Sequence, residues 1–214
     1  MTHQGWLADT RTSYDTVAVD YADEVRDLLD RTPYERAVLA LFAELVRSAG
    51  GGPVSDVGCG SGRITAHLRG LGVDAFGIDL SPAMIEVARR EHPGARFEVG
   101  SMTELTLGDA SLAGLVAWYS LIHIPDDELD PVLKGFHRVV RPGGPVLLGF
   151  HVGDETRLKT WGYGGHPMKV YVHRRRPDEL AARLRAAGFT VEAQMTLTSA
   201  ESSRGGLLIA RRTA

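Results

Sequence analysis

Three glycines at alternate positions follow a short apolar run and come directly before a predicted helix. The run spans residues 54–57 and includes Asp56, and the glycines are Gly58, Gly60 and Gly62. Glycine adopts a positive φ and lets the backbone approach a ligand closely, while a helix start presents free N–H groups. The pattern therefore predicts a ligand at the end of the first strand.

An acidic residue stands where a second predicted strand ends. Asp79 follows Gly60 by 19 residues, and a carboxylate at about that distance is placed to accept hydrogen bonds from ribose hydroxyls. Together the turn and the carboxylate predict an adenosine-type ligand. The alternative, a structural turn with a surface Asp79, leaves the paired spacing unexplained.

The glycine spacing bears on which adenosine ligand this is. The dinucleotide fingerprint Gly-x-Gly-x-x-Gly needs a glycine where Arg63 or Thr65 stands. A nicotinamide-dependent oxidoreductase therefore remains an alternative hypothesis that lacks one of its glycines.

Asp56 and the glycine turn instead resemble the first motif of the class I S-adenosylmethionine-dependent methyltransferases. Further segments match this family in order: residues 77–81 with Met84, then 99–102, 121–125 and 141–144. The resemblance runs from Tyr14 to the C-terminus. It implies S-adenosylmethionine as cofactor. We expect a small-molecule methyl acceptor, since no appended recognition domain or basic stripe supports the alternative of protein or nucleic-acid methylation. A non-catalytic module that only binds this cofactor is a further alternative.

The resemblance also implies a role for each matched position. The turn from Gly58 to Gly62 would approach the methionyl part of the cofactor, and Asp79 would hold its ribose. The other implied contacts are Leu80 and Met84 on adenine, Ser101 and Met102 at its edge, Trp118 and Tyr119 near the sulfonium, Arg63 at the carboxylate, and Tyr14 and Tyr21 on a leader helix over the cofactor. The family commonly has an acidic residue where Ser101 stands, so a backbone or hydroxyl contact to adenine is expected here. Ordinary helix packing is the alternative for the two tyrosines.

Two histidines stand at predicted strand ends, where ligands bind in open parallel sheets. His123 follows the fourth strand and His151 ends the fifth. Methyl transfer is an in-line displacement that mainly needs alignment and exclusion of water. A base is needed only if the acceptor loses a proton, and either histidine is a candidate; a structural hydrogen bond is the alternative. The histidine spacing does not predict a metal site, and Cys59 is expected to fill space in the turn.

Short apolar runs alternate with amphipathic segments over most of the chain. Strands are predicted at 54–57, 73–78, 96–99, 112–118 and 145–150, separated by helices or loops. This order predicts a Rossmann-like, doubly wound and mostly parallel sheet. Two closing strands, 189–197 and 206–211, have only a polar loop between them and predict an antiparallel hairpin.

Two helices are predicted before the first strand. They are a helix over 14–29 and a second one that Thr32 and Glu35 open as a capping box. Glycines 50–52 predict a boundary between an N-terminal helical cap, 1–52, and the core, 53–214. The segment 153–169, rich in glycine and aromatics, is predicted to be a lid over the acceptor; a β insertion on the sheet edge is the alternative.

Composition excludes several function classes. The 214 residues are 43% hydrophobic and 24% charged, as in an ordinary folded chain. The net charge of −3 offers no attraction to nucleic acid. The basic run 174–176 is expected to be a solvated face, with anion binding as the alternative. One cysteine excludes a disulfide framework, and the lack of an apolar span or signal segment predicts a cytoplasmic protein.

Overall fold

Seven strands form one sheet in the order β3-β2-β1-β4-β5-β9-β8 in the computed structural model, which describes residues 3–198 and 204–213. The strands are β1 (Pro53–Val57), β2 (Asp74–Asp79), β3 (Phe97–Val99), β4 (Gly114–Trp118), β5 (Pro145–His151), β8 (Phe189–Thr198) and β9 (Arg204–Arg212). The first five run parallel, whereas β9 lies antiparallel to both β5 and β8. The predicted Rossmann-like sheet with a closing antiparallel hairpin is confirmed.

Helices cover both faces of this sheet. They are α1 (His3–Val25), α2 (Pro33–Ser48), α3 (Arg63–Gly70), α4 (Pro82–Glu91), α5 (Asp126–Val139) and α6 (Pro177–Ala186), with 3₁₀ helices at Leu29–Arg31 and Leu121–His123. In β5, Val146 and Leu148 pack with α5 and α6, while Leu147 packs with α2 and α3. Successive strand residues point to opposite faces, which is why a strand covered on both faces is apolar throughout.

Polar contacts hold α1 on two sides. On one side, the Asp15 carboxylate accepts hydrogen bonds from Ser81 Oγ at 2.6 Å and from the Ala83 amide at 3.1 Å, at the start of α4. On the other side, Ser13 Oγ accepts from the Lys169 amide at 2.8 Å. Because α1 is fixed between two neighbours, the side chains on its inner face take defined positions.

The segment 153–169 is mostly strand. β6 (Thr156–Gly162) and β7 (His166–His173) pair as an antiparallel hairpin, separate from the main sheet. Met168 and Val170 pack with Val17 of α1. The expectation of a connection without secondary structure is therefore wrong, and the hairpin packs on α1 and not on the edge of the main sheet. A role of this segment as a lid over the acceptor stays a prediction.

Two predictions at the N-terminus are also wrong. α1 ends at Val25, and it extends much further toward the N-terminus than the predicted start at Tyr14. The hydroxyls of Thr10 and Ser13 donate to the carbonyls four residues earlier, which lets polar residues lie inside the helix. Thr32 Oγ1 donates to the Leu28 carbonyl at 3.0 Å and makes no cap to α2, so the capping box does not form.

None of the helices within residues 3–198 and 204–213 combines the length and the apolar character that a bilayer crossing requires.

The boundary at residue 52 stays a prediction. Phe42 and Val46 of α2 lie in the same buried cluster as Val54 of β1 and Leu147 of β5. Residues that share a core lose their contacts together, so we expect the segments before and after residue 52 to unfold in one transition.

Phe42→Ala should destabilise the whole chain by about 3–5 kcal/mol, because a fully buried aromatic ring is removed. Tyr34→Ala on the same helix is the matched control. That ring is 68% exposed, so its loss should change the unfolding free energy by less than about 0.5 kcal/mol. Urea unfolding followed by circular dichroism and tryptophan fluorescence makes the measurement. Two transitions, of which Phe42→Ala shifts only one, would contradict the shared core.

Candidate functional site

A cavity of about 710 Å³, counting the part that opens to solvent, lies between α1 and the carboxyl ends of the parallel strands. This is the crevice in which open α/β sheets bind ligands, and its volume suits a small organic molecule. The predicted site residues that line it are Tyr14, Tyr21, Gly58, Gly60, Asp79, Leu80, Met84, Ser101, Met102, Trp118, Tyr119 and His123. Residues 153–169 contribute nothing to this lining.

Several residues of the cavity wall were not predicted from the sequence. They are Trp6, Leu7, Thr10 and Arg11 of α1, and Ser81, Gly100, Ser120 and Ile124 beside predicted positions. The spacing of Trp6, Thr10 and Tyr14 by four residues places them on one helix face. That spacing was available in the sequence, but the predicted helix began too late to include it.

A smaller cavity of about 280 Å³ adjoins the first, with which it shares Tyr21, Gly58 and Trp118. Asp56 and Arg63 line this smaller cavity only. Three residues of its wall each have a buried polar atom without a hydrogen-bond partner among the described residues, namely Asp56 Oδ1, an Arg63 guanidinium nitrogen and Trp118 Nε1. Buried polar groups without partners are costly and rare. The wall therefore fits a ligand that brings a cationic donor for Asp56 and an acceptor for Arg63 and Trp118.

Asp56 lies in the core and lacks solvent contact. Its Oδ2 accepts one hydrogen bond, from Thr65 Oγ1 at 2.7 Å. Burial raises the pKa of Asp56 to about 7, although the bond from Thr65 and the charge of Arg63 act in the opposite direction. The carboxyl is therefore poised to ionise near neutral pH when a cation approaches.

Asp79 joins the glycine turn to the start of α4. Its two carboxylate oxygens accept hydrogen bonds from the Gly60 amide at 2.8 Å and from the Ser81 amide at 2.9 Å. Burial raises the pKa of Asp79, and these two bonds lower it. Each oxygen keeps a second lone pair, so a ligand hydroxyl in the cavity can still donate to Asp79.

The glycines of the turn are needed because a side chain at these positions would contact neighbouring residues too closely or fill the cavity. Gly58 has φ 76°, and a Cβ there would lie 2.3 Å from Ser120 Cβ. Gly60 has φ 53°, and a Cβ there would point at the Tyr21 ring, 3.5 Å away. The amides of Gly58, Cys59, Gly60 and Gly62 all donate to protein acceptors, so these four N–H groups are not free for a ligand.

Gly62, at the N-cap of α3, packs tightly as well. It has φ 81°, and a Cβ there would come within 2.6 Å of the Phe97 ring. Gly62 lies in the wall of neither cavity, so it shapes the turn without reaching the ligand space.

Tyr14 and His123 meet in the wall of the larger cavity. The Tyr14 hydroxyl lies 2.7 Å from His123 Nε2, and His123 Nδ1 lies 2.9 Å from the Tyr171 carbonyl. A carbonyl only accepts, so we assign the hydrogen to Nδ1, which leaves Nε2 to accept from the phenol. Burial lowers the pKa of His123 to about 4 and raises that of Tyr14. Near neutral pH both groups are therefore uncharged and joined by one hydrogen bond.

The structure does not bring His151 to either cavity wall. Its ring lies 5.2 Å from that of Tyr119, which does line the larger cavity. Tyr119 has φ 51°, an uncommon conformation for a side chain of this size, and its hydroxyl donates to Glu35 Oε1 at 3.1 Å.

Cys59 is buried, and burial raises the pKa of its thiol well above its usual range, as suits a residue that fills space.

Comparisons with known proteins identify the family of the chain. A family model described as a methyltransferase domain matches residues 54–144. The ubiquinone biosynthesis O-methyltransferase of Pseudomonas putida (strain W619) is 30% identical over 168 residues, which cover 71% of this chain and 70% of the relative.

Two solved structures resemble the fold over nearly the whole chain. A DhpI–SAH complex has a TM-score of 0.76 and 23% identity, and covers 99% of each chain. The 1,6-didemethyltoxoflavin-N1-methyltransferase of Burkholderia thailandensis, solved with bound 1,6-didemethyltoxoflavin and S-adenosylhomocysteine, has a TM-score of 0.64 and 25% identity. The similarity covers 95% of this chain and 91% of that chain. The chain spans about half the length of the first curated relatives that it matches.

The lowered pKa of His123 predicts a pH dependence of stability. Between about pH 6.5 and pH 4 the unfolded ring binds a proton while the native ring does not, so the unfolding free energy falls as the pH falls. His123→Asn should remove a slope of up to ~1.4 kcal/mol per pH unit. Tyr14→Phe, which keeps the buried imidazole, should retain that slope. Urea unfolding at several pH values makes the measurement, and equal slopes in wild type and His123→Asn would contradict the assignment.

Proposed function

We propose that this chain transfers a methyl group to a small-molecule acceptor, from the premise that it belongs to the class I S-adenosylmethionine-dependent methyltransferases. The unpartnered polar atoms of the smaller cavity carry the proposal. An α-amino acid has an ammonium for Asp56 and a carboxylate for Arg63 and Trp118, and S-adenosylmethionine is a nucleoside that bears such a group.

In this proposal the two cavities bind different parts of the cofactor. Asp56, Arg63 and Trp118 hold its amino-acid end in the smaller cavity, and Asp79 accepts hydrogen bonds from its ribose in the larger one. The adenine ring lies against the apolar and hydroxyl side chains of the larger cavity, namely Leu80, Met84, Ser101 and Met102. When bound, S-adenosylmethionine supplies a methyl group activated by a positively charged sulfur.

We propose a hydroxyl-bearing acceptor, which must lose its proton as its oxygen gains the methyl group. The oxygen of Tyr14 accepts that proton while the phenol hydrogen moves to His123 Nε2, 2.7 Å away. A base with a low pKa suffices, because a protonated ether is a far stronger acid than an imidazolium. The names of several relatives as O-methyltransferases support oxygen as the methylated atom.

The rival functions predict different ligands. A dinucleotide would place its pyrophosphate near the glycine turn, and it has no ammonium for the unpartnered oxygen of the buried Asp56 carboxyl. A non-catalytic module has no use for a phenol–imidazole pair facing the cavity. We also propose that the partner is a small molecule and not a nucleic acid, and that the protein is located in the cytoplasm.

Transfer of radiolabelled methyl from S-adenosylmethionine tests the proposed activity. We would offer a panel of hydroxylated small molecules, including catechol and 4-hydroxybenzoate, and a metabolite extract. Label should enter a small organic product. Binding of S-adenosylhomocysteine without label transfer to any fraction would favour the non-catalytic module, whereas fluorescence changes with NADH alone would favour the oxidoreductase.

Binding of S-adenosylhomocysteine should release a proton below pH 7. Asp56 is largely protonated in the free protein at pH 6, and the ligand ammonium favours its ionised form. Calorimetry in two buffers of different ionisation enthalpy should therefore show release of up to about one proton, with affinity rising from pH 6 to pH 8. Adenosine, which lacks the amino acid, and the Asp56→Asn variant are the controls. Equal proton release with adenosine would contradict the assignment.

His123→Asn and Tyr14→Phe should lower turnover by about 10²-fold or more, since each breaks the path of the proton. The dissociation constant for S-adenosylhomocysteine should stay within about threefold for His123→Asn, because the ring is not assigned to the cofactor. His92→Asn, a histidine in neither cavity wall, is the control and should leave turnover unchanged. Unchanged turnover in His123→Asn would remove this residue from the mechanism.

A further inference from the structure

Arg175 is buried, contrary to the expectation that the basic run 174–176 forms a solvated face. Its side chain is 6% exposed, whereas that of Arg176 is 64% exposed and paired with Glu179 at 3.7 Å. Arg174 pairs with Glu155 at 3.4 Å. The three consecutive arginines therefore have different surroundings, and Arg175 is the most deeply buried of them.

The Arg175 guanidinium contacts the backbone on both sides of His123. One terminal nitrogen donates to the Leu121 carbonyl at 3.0 Å, and the other donates to the Ile124 carbonyl and to Asp126 Oδ1, the latter at 3.3 Å. These carbonyls belong to the 3₁₀ helix Leu121–His123 and to the residue that follows it. Carbonyls at a helix end lack partners within the helix, and a fork of N–H donors can satisfy two of them at once.

The segment that carries Arg175 also holds the His123 ring. The Tyr171 carbonyl, four residues earlier, is 2.9 Å from His123 Nδ1. The Arg175 amide donates to the His151 carbonyl at 2.9 Å, at the end of β5. Residues 171–175 thus fix His123 by its ring and by its backbone, and they are themselves anchored to the main sheet.

We propose that Arg175 is a positioning residue that sets the orientation of His123 toward Tyr14. This inference rests on the proposed function, in which His123 Nε2 takes a proton from the phenol. Tyr14 lies on α1 and His123 on the loop after β4, so their 2.7 Å contact requires that both backbones hold still. The guanidinium clamps the two carbonyls that flank His123 and so prevents the short helix from turning. Lysine in its place has a single ammonium on a flexible chain and cannot hold both carbonyls in one geometry.

Arg175→Lys tests the proposal, with Arg176→Lys as the matched control at an exposed neighbour. Nitrogen-15 NMR of the histidine rings reports the tautomer and pKa of His123 and needs no acceptor. Wild type and Arg176→Lys should show hydrogen on Nδ1 and the same low pKa. Arg175→Lys should show a mixture of tautomers and a pKa shifted toward 6.5, with S-adenosylhomocysteine affinity within threefold. A His123 spectrum identical to that of Arg176→Lys would overturn the proposal.

A double-mutant cycle separates positioning from general destabilisation. With the best acceptor of the hydroxylated panel, Arg175→Lys should lower kcat by at least tenfold in wild type and by less than twofold in the His123→Asn background. Equal losses in both backgrounds would contradict a role through His123. Absence of label transfer by the wild type would count against the proposed function and leave the NMR test of Arg175 intact.

If Arg175→Lys does not fold, Asp126→Asn provides the second variant. Asp126 is 68% exposed, and its replacement removes only the charge partner of the guanidinium. The His123 tautomer should shift in the same direction by a smaller amount. An unchanged His123 spectrum in folded Asp126→Asn, together with unfolded Arg175→Lys, would assign Arg175 to the fold alone and overturn the proposal.

Discussion

A carboxyl that the fold buries without enough partners is the constraint on which the rest of the site depends. Asp56 sits at the centre of the sheet, at a strand position that both neighbours cover, with one hydrogen bond from Thr65. Such a group raises the free energy of the ligand-free protein unless it is protonated. The arrangement persists because the glycine turn brings Arg63 and the β4 end brings Trp118 to the same cavity without letting either pair with Asp56.

The larger cavity also requires that α1, which covers it, is held in a fixed position. α1 is held by polar contacts to α4 and to the β6–β7 hairpin, and its apolar residues pack on the same two neighbours. The hairpin therefore influences the cavity indirectly, since Val17 packs on it while Tyr14 and Tyr21 on the same helix face the ligand space. Residues 171–175 hold His123 in the same way, through contacts to its ring and to its backbone. The segment after β5 therefore fixes the positions of both Tyr14 and His123.

The sequence predicted the sheet and most of the cavity because both leave local signals. The glycine turn, Asp79 and the apolar strands are contiguous patterns, and the structure places them as expected. The predictions from the sequence were wrong where the structure depends on contacts between residues that are distant in the chain. In the early turns of α1, polar hydroxyls bond to carbonyls of the same helix, and the buried Arg175 bonds to carbonyls about fifty residues away, so neither segment shows a clear apolar periodicity. His151 illustrates the converse error, since a strand-end position does not ensure that a side chain enters the crevice.

Calorimetric binding of S-adenosylhomocysteine, adenosine and NADH to the intact protein tests the central claim most directly. The account predicts that S-adenosylhomocysteine binds in the micromolar range or tighter, and at least tenfold more tightly than adenosine, because only it supplies the ammonium and carboxylate that the smaller cavity lacks. NADH should not compete. Binding of adenosine as tight as that of S-adenosylhomocysteine, or no binding of the latter at millimolar concentration, would contradict the account.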